Sequence, residues 1–361
     1  MNPKNAIKFG LYYSGMGRIF RERGKRQRIW ILRYHSISGS RDQNYRYVTP
    51  SIAVSPEVFE SHIAFLSSRY AIISLDDVAA WTRGKITLPP ESVVITFDDG
   101  YRDNYRYAYP ILKKYGASAT FYVVTDAIGN THPLWTSELA DLVYRAGQRQ
   151  VTLNSIGPER IDLSDEKAKK ESIQAIGRVM RCVAKQRRAE IIREMREKLG
   201  VERDGFLHQV MLSWDELREM NRGGMCVASH TMSHPLLTEI PGEEARMEIT
   251  VSKAKIEEEL GAPVAHISYP NPGESAAHFN EAVKILAAQA GYLTARTSFK
   301  GSVGQDSDLL ALRGVSTDNR CKHPALLAWM LNGRVESLRR SFDSFRSSST
   351  PDLNSTHRSA H

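Results

Sequence analysis

Two polar clusters in the sequence contain side chains that are suited to hydrolytic chemistry. The first is the adjacent carboxylate pair Asp98 and Asp99, which Gly100 follows. The second holds two imidazoles four residues apart, His230 and His234. Two imidazoles and one carboxylate form a suitable ligand set for a divalent ion that keeps positions open for water and substrate. The second carboxylate could then act as a general base.

Each cluster follows a short apolar segment that is typical of a buried β-strand. Residues 93–97 (VVITF) precede the carboxylates, and residues 225–229 (MCVAS) precede the histidines. Active sites gather at the carboxyl ends of strands in parallel α/β folds, so the two clusters are expected to meet. Pro235 disfavours a helix at His234 and indicates a turn. Taken alone, the carboxylate pair is more typical of a simple strand followed by an Asp-Gly turn, and the histidine cluster is what favours a site.

The elements around these clusters alternate between strand and helix. Residues 29–35 predict a first core strand with His35 near its carboxyl end, and Ser55 predicts a helix cap. Residues 104–115 predict a helix that ends at Gly116, and residues 119–124 predict the next strand. This βαβ order predicts a parallel sheet. Later strands are predicted at residues 71–74, 266–270, 292–295 and 312–315, and helices from Ser213, at 243–260 and at 279–290.

The alternation is interrupted between residues 135 and 210. Residues 165–199 are charged, and apolar residues recur at helical spacing, which predicts an α-helical insertion without chemistry of its own. The predicted organisation is a basic arm (1–28), a first barrel part (29–134), the insertion (135–210), a second barrel part (211–343) and a disordered Ser-rich tail (344–361).

Composition indicates a globular protein in a reducing compartment. Of the 361 residues, 41% are hydrophobic and 25% are charged. No apolar run is long enough for a transmembrane helix, and the N-terminus lacks the pattern of a signal peptide. The three cysteines are widely spaced, which predicts neither a disulfide framework nor a zinc knuckle. We therefore expect a cytoplasmic location.

The net charge of +8 is concentrated in the N-terminal arm. Residues 1–33 contain nine Lys/Arg and one Glu, so the rest of the chain is balanced. This distribution argues against a nucleic-acid-binding protein. Phe9, Tyr12 and Phe20 share one helical face beside clustered arginines, a pattern that suits peripheral contact with an anionic inner membrane. A helix packed on the body of the protein is the alternative.

Taken together, these segments resemble the polysaccharide deacetylases, also called the NodB-homology or carbohydrate esterase 4 family. The resemblance spans residues 29–315. Its first motif is residues 96–100 (TFDDG), and its second is residues 229–235 (SHTMSHP). Residues 34–36 (YHS), 88–90 (LPP) and 269–270 (YP) also fit the family pattern.

The resemblance implies a distorted (β/α)7 barrel of the NodB type, here with an α-helical insertion. It makes Asp99, His230 and His234 the ligands of a divalent metal ion, with zinc the usual choice. Asp98 becomes the general base, and the backbone N–H of Tyr269 becomes the donor to the oxyanion. The implied activity is metal-dependent hydrolysis of a non-peptide carbon–nitrogen bond. The substrate would be an N-acetylated sugar of a polysaccharide, such as an exopolysaccharide, or of its lipid-linked precursor.

Two departures from the family pattern leave other functions open. Residues 267–273 (ISYPNPG) lack the arginine that often precedes the third motif and orients the catalytic aspartate. The late Leu-x-His motif has no counterpart, because the residues around His323 do not match, so the general acid is unassigned. The alternatives are hydrolysis of another amide, as in a sugar deformylase or an allantoinase-like enzyme, and an inactive carbohydrate-binding relative. The intact Asp98 argues against the last, since a pure binder needs no base.

Overall fold

The structure is a computed structural model of the chain. It describes residues 27–42, 45, 47–129, 133–157, 159–202, 206–270, 278–317 and 321–331. The predictions for residues 1–26 of the basic arm, for the turn at 271–273 and for the tail at 344–361 lie outside the described residues. Membrane contact through the arm and a cytoplasmic location therefore stay predictions.

The chain divides into two units, Gly24–Pro324 and a second unit of Met1–Arg23 with Ala325–His361. The described strands are β1 (Ile29–Tyr34), β2 (Ala71–Ile72), β3 (Ser92–Phe97), β4 (Thr120–Val123), β5 (Gln150–Leu153), β6 (Glu159–Asp162), β7 (Cys226–Ser229), β8 (His266–Ser268), β9 (Thr294–Lys300) and β10 (Leu312–Ser316). The described α-helices are α1 (Pro56–Arg69), α2 (Leu75–Thr82), α3 (Tyr109–Lys114), α4 (Trp135–Arg145), α5 (Glu166–Arg181), α6 (Lys185–Leu199), α7 (Trp214–Arg222), α8 (Gly242–Leu260), α9 (Glu281–Gln289) and α10 (Pro324–Leu331). None of these helices has the length and apolar composition that a membrane span requires.

Seven parallel strands of the larger unit close into a barrel. Their order is β1, β10, β9, β8, β7, β4 and β3, and β3 pairs back with β1 along its whole length, from Ile29 opposite Ser92 to Tyr34 opposite Phe97. The other edge of β3 is shared, because β2 pairs with its beginning and β4 with its end. This arrangement confirms the predicted distorted (β/α)7 barrel.

Aromatic rings pack together near the carboxyl ends of the first strands. Phe97 stacks on Phe121 with ring centroids 4.5 Å apart and on Tyr34 at 5.5 Å, and Phe59 of α1 contacts both Tyr34 and Phe97. All six residues of β3 are buried, as expected for a barrel strand covered on both faces. This packing fixes the ends of β1, β3 and β4, the edge at which the carboxylate pair emerges.

Local signals in the sequence explain several helix boundaries. Ser213 caps α7 in a capping box with Glu216, and Gly261 ends α8 with a left-handed φ of 63°. The helix predicted over residues 104–115 begins instead with a π-helical turn at Asn104–Ala108, before α3. In this turn the Asn104 amide donates to the His35 carbonyl (2.7 Å), a long-range contact that no local pattern reveals.

The segment between β4 and β7 is more varied than the helical insertion that we predicted. It contains α4, an antiparallel hairpin of β5 and β6, and then α5 and α6. Residues of β5 alternate between exposed and buried, which is the pattern of a half-buried strand. The helices share an apolar cluster that includes Leu142, Ile176, Met180 and Ile191. The charged region predicted as helical, residues 165–199, forms two helices that are separated between Arg181 and Lys185.

Candidate metal centre

The three predicted metal ligands converge at the carboxyl end of the barrel. Asp99 Oδ1 lies 3.6 Å from His230 Nε2 and 3.5 Å from His234 Nε2, and the three donor atoms lie within 4.8 Å of one another. Ligand atoms of a tetrahedral zinc ion, with bonds of 2.0–2.1 Å to nitrogen, are about 3.3 Å apart. A single divalent ion could therefore bridge these three side chains.

The backbone around the predicted ligands adopts a left-handed conformation that is rare for residues other than glycine. Asp99, Thr231 and His234 have φ angles of 77°, 67° and 62°. Such left-handed residues cost about 1–3 kcal/mol each and persist where the surrounding structure enforces them, often at functional sites. Gly100 has a φ of 83°, and a β-carbon there would lie 2.9 Å from Ile128 Cδ1, so glycine suits this turn for both reasons.

Hydrogen bonding and burial prepare both imidazoles for a metal ion. His230 Nδ1 donates to the Ser268 carbonyl (2.7 Å), which leaves the unprotonated Nε2 directed at Asp99. Burial lowers the pKa of His230, and it lowers the pKa of His234 well below the ordinary value. Both rings are thus neutral near pH 7, which is the state that binds a metal ion.

The loop that ends at His234 is supported by both the barrel and the insertion. The buried Glu248 of α8 accepts the backbone N–H groups of the two residues before His234 at 2.9 and 2.8 Å, and it also accepts the Ser233 hydroxyl. Arg188 of α6 donates to Ser233 Oγ. Trp135, at the start of α4, donates its indole N–H to the His234 carbonyl (3.4 Å). The insertion therefore takes part in positioning a predicted ligand.

Asp98 and Asp99 are neighbours in sequence but lie in opposite electrostatic environments. Burial alone would raise the pKa of Asp98, but the charge of Arg296, with smaller contributions from other cationic groups, holds it well below the ordinary value. Burial and the adjacent Asp98 raise the pKa of Asp99 to about 8. One carboxylate is thus stably ionised, whereas the other needs a cation to ionise in this surrounding. This contrast fits a base beside a metal ligand.

Arg296 of β9 supplies the arginine that the third motif lacks. Its Nη2 donates to Asp98 Oδ2 and to Ser268 Oγ (2.6 Å), and Arg296 lies directly opposite Ser268 in the pairing of β8 with β9. Residues 267–273 do lack the arginine of the family pattern, but an arginine from β9 contacts Asp98 instead. The sequence could have indicated this residue, because Arg296 directly follows the strand predicted at residues 292–295. That predicted strand ended one residue too early to include it.

Tyr269 does not present the oxyanion donor that the resemblance implied. Its backbone N–H donates to the Arg296 carbonyl (3.0 Å), and its hydroxyl donates to the Leu310 carbonyl (3.2 Å). The ring stacks on Phe279 with centroids 5.6 Å apart. Because the N–H is already used by a sheet hydrogen bond, it is not available to an oxyanion in this geometry. This assignment is corrected accordingly.

A third imidazole, that of His35, lies beside the carboxylate of Asp98. Its Nε2 is 3.8 Å from Asp98 Oδ2, and its side chain is 14% exposed at the end of β1. Burial lowers the pKa of His35 to about 3, although the charge of Asp98 opposes this effect. His35 is not among the converging ligands, so it is a neutral imidazole next to the predicted base. The sequence placed it near a strand end without assigning it a role.

We expect Arg296→Gln to weaken catalysis and to move its pH dependence. Loss of the guanidinium would raise the pKa of Asp98, so the acid limb of the kcat/KM profile should shift to higher pH. Loss of the orienting bonds should lower kcat by about 10- to 100-fold. Metal content, measured by elemental analysis, should not change.

Arg296→Lys is the matched control for this substitution, because it keeps the charge but not the two-bond geometry. Arg296→Lys should keep a higher kcat/KM at low pH than Arg296→Gln. An acid limb that stays in place in Arg296→Gln would show that Arg296 does not set the protonation of the base.

Known proteins resemble this chain in sequence and in fold. Residues 85–295 match the family model described as Polysaccharide deacetylase. The Bacillus subtilis protein YxkH is 30% identical over 141 residues, 39% of this chain and 46% of that protein. The poly-β-1,6-N-acetyl-D-glucosamine N-deacetylase of Staphylococcus aureus is 39% identical over 84 residues, 23% of this chain and 29% of that protein. The chain thus spans less than half the length of these curated relatives.

Solved structures show the same fold at low sequence identity. The Streptococcus pyogenes deacetylase PplD, in complex with acetate, superposes with a TM-score of 0.54 at 20% identity, covering 84% of this chain and 99% of that one. IcaB from Ammonifex degensii gives a TM-score of 0.54 at 17% identity, covering 84% and 97%. Since the family model matches more than half of its residues, this chain belongs to the polysaccharide deacetylase family.

Proposed function

We propose that this protein is a metal-dependent N-deacetylase that hydrolyses the acetamido group of an amino sugar in a polysaccharide or its lipid-linked precursor. The observation that carries the proposal is the pair of adjacent carboxylates with opposite pKa shifts beside two converging imidazoles. The name of the Staphylococcus aureus relative, an N-deacetylase of an N-acetylglucosamine polymer, supports the substrate class.

Asp99, His230 and His234 would hold a divalent ion, and their mixed oxygen and nitrogen donors suit zinc. Such an ion, when bound, lowers the pKa of a coordinated water and polarises the carbonyl of the acetamide. The chain contributes a donor set that is already assembled, with neutral imidazoles and a carboxylate whose ionisation a cation would favour.

Asp98 is placed to take the proton of the attacking water. Its Oδ2 is occupied by Arg296, whereas its buried Oδ1 has no hydrogen-bond partner among the described residues. Because Arg296 keeps the carboxylate ionised, Asp98 is ready to accept a proton across the neutral pH range. We assign Oδ1 as the atom that accepts it.

His35 is placed to return that proton to the leaving amine. The proton accepted by Asp98 Oδ1 would pass to His35 Nε2, which lies 3.8 Å from Oδ2, the other oxygen of the same carboxylate. The resulting imidazolium would be stabilised by the regenerated carboxylate. Donation to the amide nitrogen then accompanies cleavage of the carbon–nitrogen bond. The products are a free amino sugar and acetate, and the oxygen of the water ends in the acetate.

We expect His35→Gln to lower kcat by about 100-fold while the ion stays bound, since a proton donor is lost but no ligand is changed. The rate of amine release and the metal content measure the two effects. His323→Gln is the control, because His323 follows the last barrel strand, in the region where the family pattern has its late histidine, although the flanking residues do not match that pattern. If His323→Gln were the more damaging variant, the proton would come from there.

The function is tested by measuring acetate release from chitin oligomers and from poly-β-1,6-N-acetylglucosamine by the protein loaded with one zinc ion. Formate release from N-formylated sugars and hydrolysis of allantoin test the other amide reactions. Binding of the oligomers without release of acetate would identify an inactive carbohydrate-binding protein and would overturn the proposal.

A further inference from the structure

We propose that Arg181 forms a subsite for an anionic substituent, a carboxylate or a phosphate, on the glycan next to the scissile acetamide. This inference rests on the proposed function and narrows its substrate class to anionic glycans. The residue belongs to the insertion, at the last position of α5.

A backbone hydrogen bond links Arg181 to the loop that carries His234. Its carbonyl accepts the backbone N–H of Leu236 (2.9 Å), two residues beyond His234. Its guanidinium carbon lies 5.8 Å from the centroid of the Trp135 ring, and that ring lies 6.4 Å from the His234 imidazole. A single aromatic ring therefore separates the guanidinium from a predicted metal ligand.

The guanidinium of Arg181 lacks a polar partner among the residues that the structure describes, although the side chain is half-buried. Arg188 provides a comparison on the same ring, at 6.0 Å from the Trp135 centroid. Arg188 is buried, and it donates to Ser233 Oγ and to the Val183 carbonyl (3.3 Å). A partly desolvated cation is unfavourable unless an anion or acceptor meets it. The ring offsets only part of this penalty, so Arg181 is poised for an external acceptor.

The charge around the centre also favours an anionic substrate. Arg181 and Arg188 both lie over the Trp135 ring, whose centroid is 6.4 Å from that of the His234 imidazole. Arg296 is paired with Asp98, and a divalent ion would add two further positive charges. An excess of positive charge attracts anions and raises their local concentration. A neutral N-acetylglucosamine polymer would gain no binding energy from this charge.

The test compares kcat/KM for anionic and neutral substrates in matched variants. The anionic probes are an oligosaccharide that alternates N-acetylglucosamine with glucuronic acid, and N-acetylglucosamine 1-phosphate; the neutral probe is a chitin oligomer. We expect the unmodified protein to prefer an anionic probe. Arg181→Gln should lower kcat/KM for that probe about tenfold through KM, and change the neutral probe by less than about twofold. Arg181→Lys should restore part of the preference.

Arg178→Gln is the control for a general loss of charge, because Arg178 is exposed on the same helix and three residues away. It should leave the ratio of anionic to neutral turnover unchanged. The probe that responds to Arg181→Gln distinguishes a carboxylate from a phosphate. A protein without preference for either anionic probe, or an equal loss on neutral and anionic probes, would overturn the inference.

Calorimetric binding of the same probes separates this inference from the proposed function. If no probe releases acetate, the proposed function fails, but the binding ratio still decides the role of Arg181. We expect the dissociation constant of the responding anionic probe to rise about tenfold in Arg181→Gln. An unchanged dissociation constant would overturn the subsite. Thermal unfolding of each variant shows whether its fold is intact.

Discussion

Replacing Asp98 with asparagine should leave the metal ion bound and remove most of the turnover. The amide keeps the volume of the carboxylate, and the three converging ligands are unchanged, but the atom assigned to accept the proton can no longer do so. Loss of a positioned base lowers kcat by about 10²- to 10⁴-fold. Steady-state acetate release and the zinc content of the purified variant measure the two effects.

The adjacent carboxylate provides the matched comparison for this experiment. Asp99→Asn should lose the ion as well as the activity, because Asp99 Oδ1 belongs to the donor set. Equal loss of zinc in both variants would show that the roles of the two aspartates are wrongly assigned. Near-normal turnover in Asp98→Asn would show that a different group removes the proton.

Removing any one of the three ligands should abolish tight metal binding. We expect alanine at Asp99, His230 or His234 to raise the dissociation constant for zinc more than about 100-fold, beyond the 10- to 100-fold effect typical of outer-shell partners. Calorimetric titration of zinc measures this change. His323→Gln, which leaves the donor set intact, should bind zinc normally. Normal zinc binding by the His234 variant would contradict the ligand assignment.

The same site should make the stability of the metal-free protein depend on pH. The pKa of Asp99 is raised to about 8 in the folded chain, above its value in the unfolded chain. The stability that its protonated form contributes is present below the unfolded pKa, near 4, and is lost as the pH rises towards 8. The lowered pKa values of His35, His230 and His234 act in the opposite direction over part of this range. We therefore expect the effect in a difference: the melting temperature of the metal-free protein, measured relative to metal-free Asp99→Asn, should fall as the pH rises towards 8. A difference that does not change with pH would contradict this expectation.

Much of the site could be predicted because its information is local. Asp98 and Asp99 follow one strand directly, His230 and His234 follow another, and parallel strand ends converge by the geometry of the fold. The cap at Ser213 and the stop at Gly261 depend on hydrogen bonds and φ angles within a few residues. The barrel itself followed from alternating strands and helices together with the resemblance. Patterns with short sequence separation thus sufficed for these elements.

Long-range contacts account for what could not be predicted. Arg296 reaches Asp98 across 198 positions because closure of the barrel brings β9 to the same interior as the end of β3, and no periodicity in the sequence specifies this closure. The pairing of β8 with β9 also explains why Tyr269 is not an oxyanion donor here, because its backbone N–H donates to the Arg296 carbonyl. The insertion was expected to lack chemistry, yet Trp135 binds the His234 loop.

The sequence by itself therefore determined which side chains stand at the ends of the barrel strands, because strand periodicity, turn residues and motif spacing are properties of short segments. The tertiary structure alone decided which side chains surround them. Closure of the barrel brought Arg296 and His35 to Asp98, and docking of the insertion brought Trp135, with Arg181 stacked on it, to His234. These partners lie far from the two aspartates in the chain. Burial of the two carboxyl groups and the charges around them shift the pKa of Asp98 down and that of Asp99 up, a difference that the local sequence does not reveal.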